Sequence, residues 1–244
     1  MSVHRYIEEY VDNTISILQK KRLDFLLTIS YADFFDNQNP YLLFIQQTKT
    51  IGQIIQYWID MEIYNNEETI FGDWLEGLAI FINEKVYGGR KSGIPNIDLE
   101  FDKNDVRYII TIKSGPNWGN SSQIAKMIAD FKTAKKTLRT SNSQLNITAI
   151  NGCCYGIDNN PDKGDYFKYC GQEFWSFISG NENLYIDIIE PLGNKARERN
   201  GEFQKSYAQM INKFTKEFSN TFCKDNGEID WEKLVQFNSG KSKK

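Results

Sequence analysis

Ile97-Asp98-Leu99-Glu100-Phe101 and, after a short gap, Val106-Arg107-Tyr108-Ile109-Ile110-Thr111-Ile112-Lys113 are the runs whose reading decides the fold. The first alternates apolar and acidic residues with period two. The second is rich in β-branched and aromatic side chains, and residues 102–105 between them carry turn chemistry. Together they predict a β-hairpin. A polar, glycine-containing loop follows at 115–122, where Ser121 or Ser122 is placed to cap a helix over 123–139. Residues 146–150 predict a further buried strand. A short helix around 174–178, a strand at 184–189 and a long helix over 195–222 complete the C-terminal half.

Upstream of the hairpin the apolar residues fall at helical spacing. Tyr6, Tyr10, Ile17 and Leu18 mark a first helix that continues through Leu23, Phe25 and Leu26 and breaks at 36–40. Residues 42–63 carry a second stripe formed by Ile51, Ile54, Ile55, Trp58 and Ile59. A third helix is expected over 72–86, stopped by Gly88-Gly89. This order predicts an α/β core with helices added at both ends. No linker divides it, so 1–244 reads as a single domain. Its parts are a helical stretch (1–70), a core (71–190), a C-terminal helical part (191–238) and a flexible tail (239–244).

The chain has 244 residues, 40% of them hydrophobic and 14% aromatic, enough to bury one sizeable core and too apolar for a disordered chain. No apolar run is long enough to span a bilayer, and residues 1–9 carry charge without the apolar segment of a secretory signal. The four cysteines form no CxxC pair, and His4 is the single histidine, so there is no Cys/His zinc set. A reduced, cytoplasmic compartment fits this usage. No GxxxxGK[ST] or GxGxxG is present, which leaves nucleotide-driven chemistry without support. The net charge of -3 gives no general affinity for nucleic acid, so a DNA-binding member of this composition has to gather positive charge locally.

The chemistry-bearing residues lie on the hairpin. Fourteen residues lie between Asp98 and Lys113, a distance that lets the second strand return beside the first. Thr111 and Lys113 are two apart and share a strand face, and apolar Ile109, Ile110 and Ile112 surround them. Burying a lysine at the end of such a strand is costly without a partner or a task. Phosphodiester hydrolysis supplies one. A carboxylate such as Asp98 can hold Mg2+, which prefers oxygen ligands. A nearby lysine can orient the attacking water or stabilise the charge that builds on phosphorus.

Asp98, the spacing to Ile112-Lys113 and the hairpin around them resemble the PD-(D/E)xK nuclease superfamily. The longer strings at 91–98 (Lys-Ser-Gly-Ile-Pro-Asn-Ile-Asp) and 112–120 (Ile-Lys-Ser-Gly-Pro-Asn-Trp-Gly-Asn) resemble one family of type II restriction endonucleases. Those at 152–156 (Gly-Cys-Cys-Tyr-Gly) and 189–193 (Ile-Glu-Pro-Leu-Gly) add to the likeness, which extends from about residue 72 to residue 238. The resemblance implies a restriction-endonuclease-like core, a mixed central sheet flanked by helices. It implies Mg2+-dependent hydrolysis of both strands of a short, GC-rich palindromic site in double-stranded DNA. It also implies a homodimer matched to the palindrome, a companion DNA methyltransferase acting on the same site, a cytoplasmic location and no membrane.

One position departs from the family pattern: Thr111 stands where the motif has Asp or Glu. Threonine is a neutral and poor metal anchor, so another group has to supply the negative charge. Glu76, on the helix ahead of the hairpin, is the first candidate, then Glu100 on the Asp98 strand face, then Asp73. The resemblance also implies the Ile112 carbonyl as a metal ligand. The expected catalytic set is Asp98, Lys113, Glu76 and Thr111, and the expected metal set is Asp98, Ile112 and Glu76.

Candidate DNA contacts follow the hairpin. Ser114, Asn117, Trp118, Asn120 and Ser121 form a loop that reads either as a DNA contact or as a polar turn with Trp118 packed inward. Gln123 reads as a phosphate or water contact, or as a helix cap. Lys132, Lys135, Lys136 and Arg139 share one helix face, either tracking a phosphate backbone or simply solvated, and Lys132 and Lys136 are taken as contacts. A repair or recombination nuclease on the same core, and a DNA-binding protein weakened in catalysis at Thr111, are the alternative readings.

Overall fold

A computed structural model describes residues 3–32, 39–45, 50–140, 142–196 and 201–241. The hairpin is present as β2 (Leu99–Lys103) and β3 (Val106–Lys113). Lys103 pairs with Val106, so the turn is Asn104-Asp105 alone, with φ of 53° and 59°. Two successive left-handed residues make a type I′ turn, whose twist matches that of the strands. The turn is tighter than the one expected at 102–105. Asp98 lies just ahead of β2, yet its N–H donates to the Ile110 carbonyl at 2.9 Å and carries the ladder on to it.

The sheet has five strands in the order β1-β2-β3-β4-β5, with β1 (Arg90–Lys91), β4 (Ile147–Cys153) and β5 (Phe167–Cys170) added to the hairpin. β1, β2 and β3 pair antiparallel, while β3, β4 and β5 pair parallel. The sheet is therefore mixed and flanked by helices, with further helices at both chain ends. β3 and β4 are joined by the crossover helix α4 (Ser121–Arg139).

β3 and β4 send alternate side chains to two cores, and β2 adds to the first. Leu99, Phe101, Ile110, Ile112 and Ile150 pack with Ile7, Val11, Ile15 and Leu18 of α1 (Val3–Thr28) and with Leu75, Leu78, Ala79 and Ile82 of α3 (Ile51–Tyr87). Ile109, Ile147 and Ala149 pack on the other face with Met127, Phe131 and Ala134 of α4. At Gly152 α5 (Gln172–Ser179) approaches the sheet closely, because a Cβ there would overlap the Phe174 ring.

Several expectations are corrected. α3 is one helix of 37 residues rather than two: Gly72 and Gly77 lie inside it, and an isolated glycine costs only ~1 kcal/mol in a helix interior, too little by itself to end one. α1 buries Ile7, Val11, Ile15, Leu18 and Leu26, while Ile17 faces outward. Residues 184–189 are not a strand: α6 (Leu184–Asp187) and α7 (Ile189–Ala196) occupy them, burying Leu184 and Ile188 four apart and exposing Tyr185, Ile186 and Ile189. The long C-terminal helix is α8 (Gly201–Phe222). The expected break at 36–40, the join of α7 to α8 and the end of the tail fall wholly or partly outside the described residues. α2 (Pro40–Ile45) and α9 (Trp231–Ser239) complete the elements.

The chain divides into two compact units, 1–18 with 68–198, and 19–67 with 199–244. The first holds the whole sheet. The second is helical, built around Leu26, Ile55, Ile59, Phe214, Phe218 and Phe222, with Phe44 edge-on to Trp231 at 5.2 Å. The expected stripe Ile54, Ile55, Trp58 and Ile59 is buried there. Among the described residues no helix is long and apolar enough to cross a membrane.

Candidate active site

Because Thr111 and Lys113 alternate with Ile110 and Ile112, they project toward α4 rather than into the core on the α3 side. Asp98 joins them across the hairpin. One oxygen of its carboxylate, Oδ2, accepts from the Ile112 N–H at 2.7 Å and from the Thr111 hydroxyl at 3.2 Å. The Thr111 hydroxyl thus helps to orient the Asp98 carboxylate.

Asp98, Thr111 and Lys113 line a cavity of about 260 Å3 together with Asn96, Trp118 and, from α4, Gln123, Lys126, Met127 and Asp130. The Lys113 ammonium lies 5.3 Å from the centre of the Trp118 ring, within cation–π range. The Trp118 indole N–H donates to Asn151 Oδ1 at 3.0 Å.

Glu76 projects from α3 into a second cavity of about 560 Å3, lined also by Asp73, Glu84 and Lys91. Lys91 Nζ lies 3.5 Å from its carboxylate. Burial first, and the Asp98 carboxylate second, push the Glu76 carboxyl above its ordinary value, while Lys91 pulls it partly back. Glu76 and Asp98 therefore open onto different cavities and still repel each other when both are ionised. Carboxylates that repel each other when ionised are oxygen donors of the kind a divalent cation takes, with water and phosphate completing its shell. Among the described residues no group of three or more His, Cys, Asp or Glu is gathered.

The other acidic candidates are placed differently. Glu100 is buried and held by Arg90 at 3.1 Å, with Arg107 at 3.9 Å, and it does not line the Asp98 cavity. Asp73 is exposed beside Glu76.

The loop after β3 is anchored rather than loose. Lys168 Nζ donates to the Pro116 carbonyl at 2.8 Å, and Tyr155 N–H donates to the Ser114 carbonyl at 3.1 Å. Asn117 is exposed at its tip. Asn120, not Ser121 or Ser122, caps α4, which starts at Ser121. Asn120 Oδ1 accepts from Gln123 N–H and Gln123 Oε1 accepts from Asn120 N–H, a reciprocal capping box. Gln123 has the capping role while also lining the cavity. Lys132 is exposed and paired with Asp165 at 3.1 Å, and Lys136 is exposed on the same helix.

Sequence reading overlooked Asn96, Lys126 and Asp130 in the cavity, and Asn151 beneath it. An asparagine inside the apolar run Ala149-Ile150-Asn151-Gly152-Cys153 was the available signal for the last. The four cysteines are free. Burial pushes the Cys154 thiol up to about 12 and the Cys153 thiol upward as well, which keeps both protonated and unsuited to nucleophilic work.

A family model described as the type II restriction endonuclease EcoO109I matches residues 5–200, about four-fifths of the chain. No curated protein matches the chain. The matched region begins well ahead of residue 72, taking in α1, and stops short of α8 and α9.

Proposed function

The chain belongs to the family of the type II restriction endonuclease EcoO109I and is thus a DNA-cleaving hydrolase; from that premise we propose that it hydrolyses both strands of a short, GC-rich palindromic duplex site with Mg2+, using Asp98, Glu76 and Lys113. The observation that carries this reading is the meeting of Asp98, Thr111 and Lys113 on one cavity at the end of the hairpin, with Glu76 in electrostatic reach.

In this reading Asp98, Glu76 and the Ile112 carbonyl would hold the ion. When bound, it neutralises charge on the scissile phosphate and makes a water acidic enough to attack. Lys113 presents an ammonium to the same cavity, where it stabilises the charge that grows on phosphorus. Thr111 and the Ile112 N–H hold Asp98 in one orientation, so no reorganisation is needed as the reaction proceeds. The loop with Ser114, Asn117, Asn120 and Ser121, together with Gln123, Lys132 and Lys136, meets the duplex beside the cavity. All these groups belong to the first unit. A homodimer presents two such sites to the two strands of a palindrome, and a methyltransferase specific for the same site protects the host DNA in the cytoplasm.

The test is digestion of unmethylated duplex DNA by the purified protein. Cleavage is expected in Mg2+ or Mn2+, none in EDTA and little in Ca2+, whose looser geometry positions ligands poorly. Full activity in EDTA overturns the metal reading.

A further inference from the structure

β4 runs parallel to β3 with Asn151 directly across from Thr111. Asn151 is 1% exposed, a polar side chain in an otherwise apolar stretch of strand. Both ends of its amide are used. Nδ2 donates to the Thr111 carbonyl at 3.4 Å, and Oδ1 accepts the Trp118 indole N–H at 3.0 Å. The orientation of the amide follows from chemistry, because an indole can only donate and a carbonyl can only accept. Trp118 in turn spreads its face 5.3 Å from the Lys113 ammonium. Among the described residues no carboxylate lies within ion-pair distance of Lys113, so this ring is the group that steadies the end of a long, flexible side chain.

We propose that Asn151 is a positioning residue: by anchoring the Trp118 indole it makes the ring a platform that holds the Lys113 ammonium in the cavity shared with Asp98. The proposal rests on the role of Lys113 given above, and it makes Trp118 a support for the reacting groups instead of a reader of DNA. Through Thr111 the same amide also steadies the strand that orients Asp98. A small displacement of a reacting group costs far more in rate than in binding, so the signature of such a platform is loss of turnover without loss of affinity.

The experiment compares Asn151→Ala, Trp118→Phe and Trp118→Leu with the wild type on the unmethylated duplex that the wild type cuts. Single-turnover cleavage is followed in Mg2+, affinity for the same duplex is measured in Ca2+, and a thermal melt reports folding. Asn151→Ala and Trp118→Leu are expected to cut ~10–100-fold more slowly with unchanged affinity. Trp118→Phe is expected to lose less than Trp118→Leu, because a phenyl face remains for the ammonium. Full-rate cutting by Trp118→Leu overturns the proposal. So does a drop in affinity that matches the drop in rate, which would make Trp118 a DNA contact. Should Asn151→Ala fail to fold, the half-buried Trp118 variants carry the test. Lys113→Ala is measured in parallel. If it cuts normally, the role of Lys113 itself fails; if it is inactive while the Trp118 variants cut at full rate, only the platform fails.

Discussion

Replacing Asp98 by alanine removes a proposed metal ligand and a structural acceptor at once, and the two losses can be separated. Asp98 Oδ2 accepts from the Ile112 N–H and the Thr111 hydroxyl. Those residues are 4% and 3% exposed, and water from the adjoining cavity replaces the lost acceptor only in part. A buried donor left unpaired costs ~1–3 kcal/mol. Two such donors bring ~2–5 kcal/mol, with the longer Thr111 bond at the lower end. For a chain of this length ~1 kcal/mol shifts the melting temperature by ~2–4 °C, so Asp98→Ala should melt ~4–20 °C below the wild type. In Asp98→Asn the amide oxygen keeps both bonds and only the charge is lost. That variant should melt close to the wild type. Both should fail to cut DNA in Mg2+. The assay pairs a thermal melt in EDTA with a cleavage time course. Equal melting temperatures for the two variants, in either direction, would refute the assignment of Asp98 Oδ2 as the acceptor that ties the hairpin to the site.

Glu76 offers a pH-dependent test. Burial and Asp98 raise its carboxyl, so ionising it costs stability: the benefit of the neutral form is complete below the ordinary glutamate value of ~4.3 and is lost as pH rises through the raised one. Metal-free Glu76→Gln should therefore gain in melting temperature over the wild type as pH rises from ~4 toward neutral, with no gain at the acid end. The same variant should lose cleavage and the stabilisation that Mg2+ gives the wild type, whereas Glu84→Gln should keep both; a pH-independent difference between Glu76→Gln and the wild type counts against this assignment. Thr111→Val should slow cleavage by removing the hydroxyl bonded to Asp98, and Thr111→Ser should restore it. Thr111→Glu restores the motif acid but sets a second buried carboxylate against Asp98, so it should be destabilised in EDTA and rescued by Mg2+. Melting that ignores Mg2+ would contradict a metal between these groups.

The hairpin was legible because period-two alternation and a short turn have few other solutions, and Asp98, Thr111 and Lys113 came with it once both strands were fixed. The apolar run 184–189 was not, since short apolar runs suit a strand or a helix equally, and only the burial of Leu184 and Ile188 decides between them. β5 has four residues, too few for periodicity to register. The relation of Glu76 to Asp98 depends on how α3 packs against the sheet, which spacing along the chain does not encode. The same holds for Asn151 and Trp118, 33 residues apart and joined only by the parallel pairing of β3 with β4. For Gln123 a helix cap was one of two readings, legible because it sits in the first turn, but its partner was placed at Ser121 or Ser122 rather than Asn120, since Ser and Asn cap equally well.

The most direct test of the site is to incubate the wild type and Lys113→Ala with unmethylated duplex DNA in Mg2+ and to sequence the fragment ends. The wild type should give discrete fragments whose ends share one short sequence with two-fold symmetry, and Lys113→Ala should leave the DNA intact. Ends without a common sequence, or the same fragments from Lys113→Ala, would contradict a site-specific nuclease built on Asp98 and Lys113.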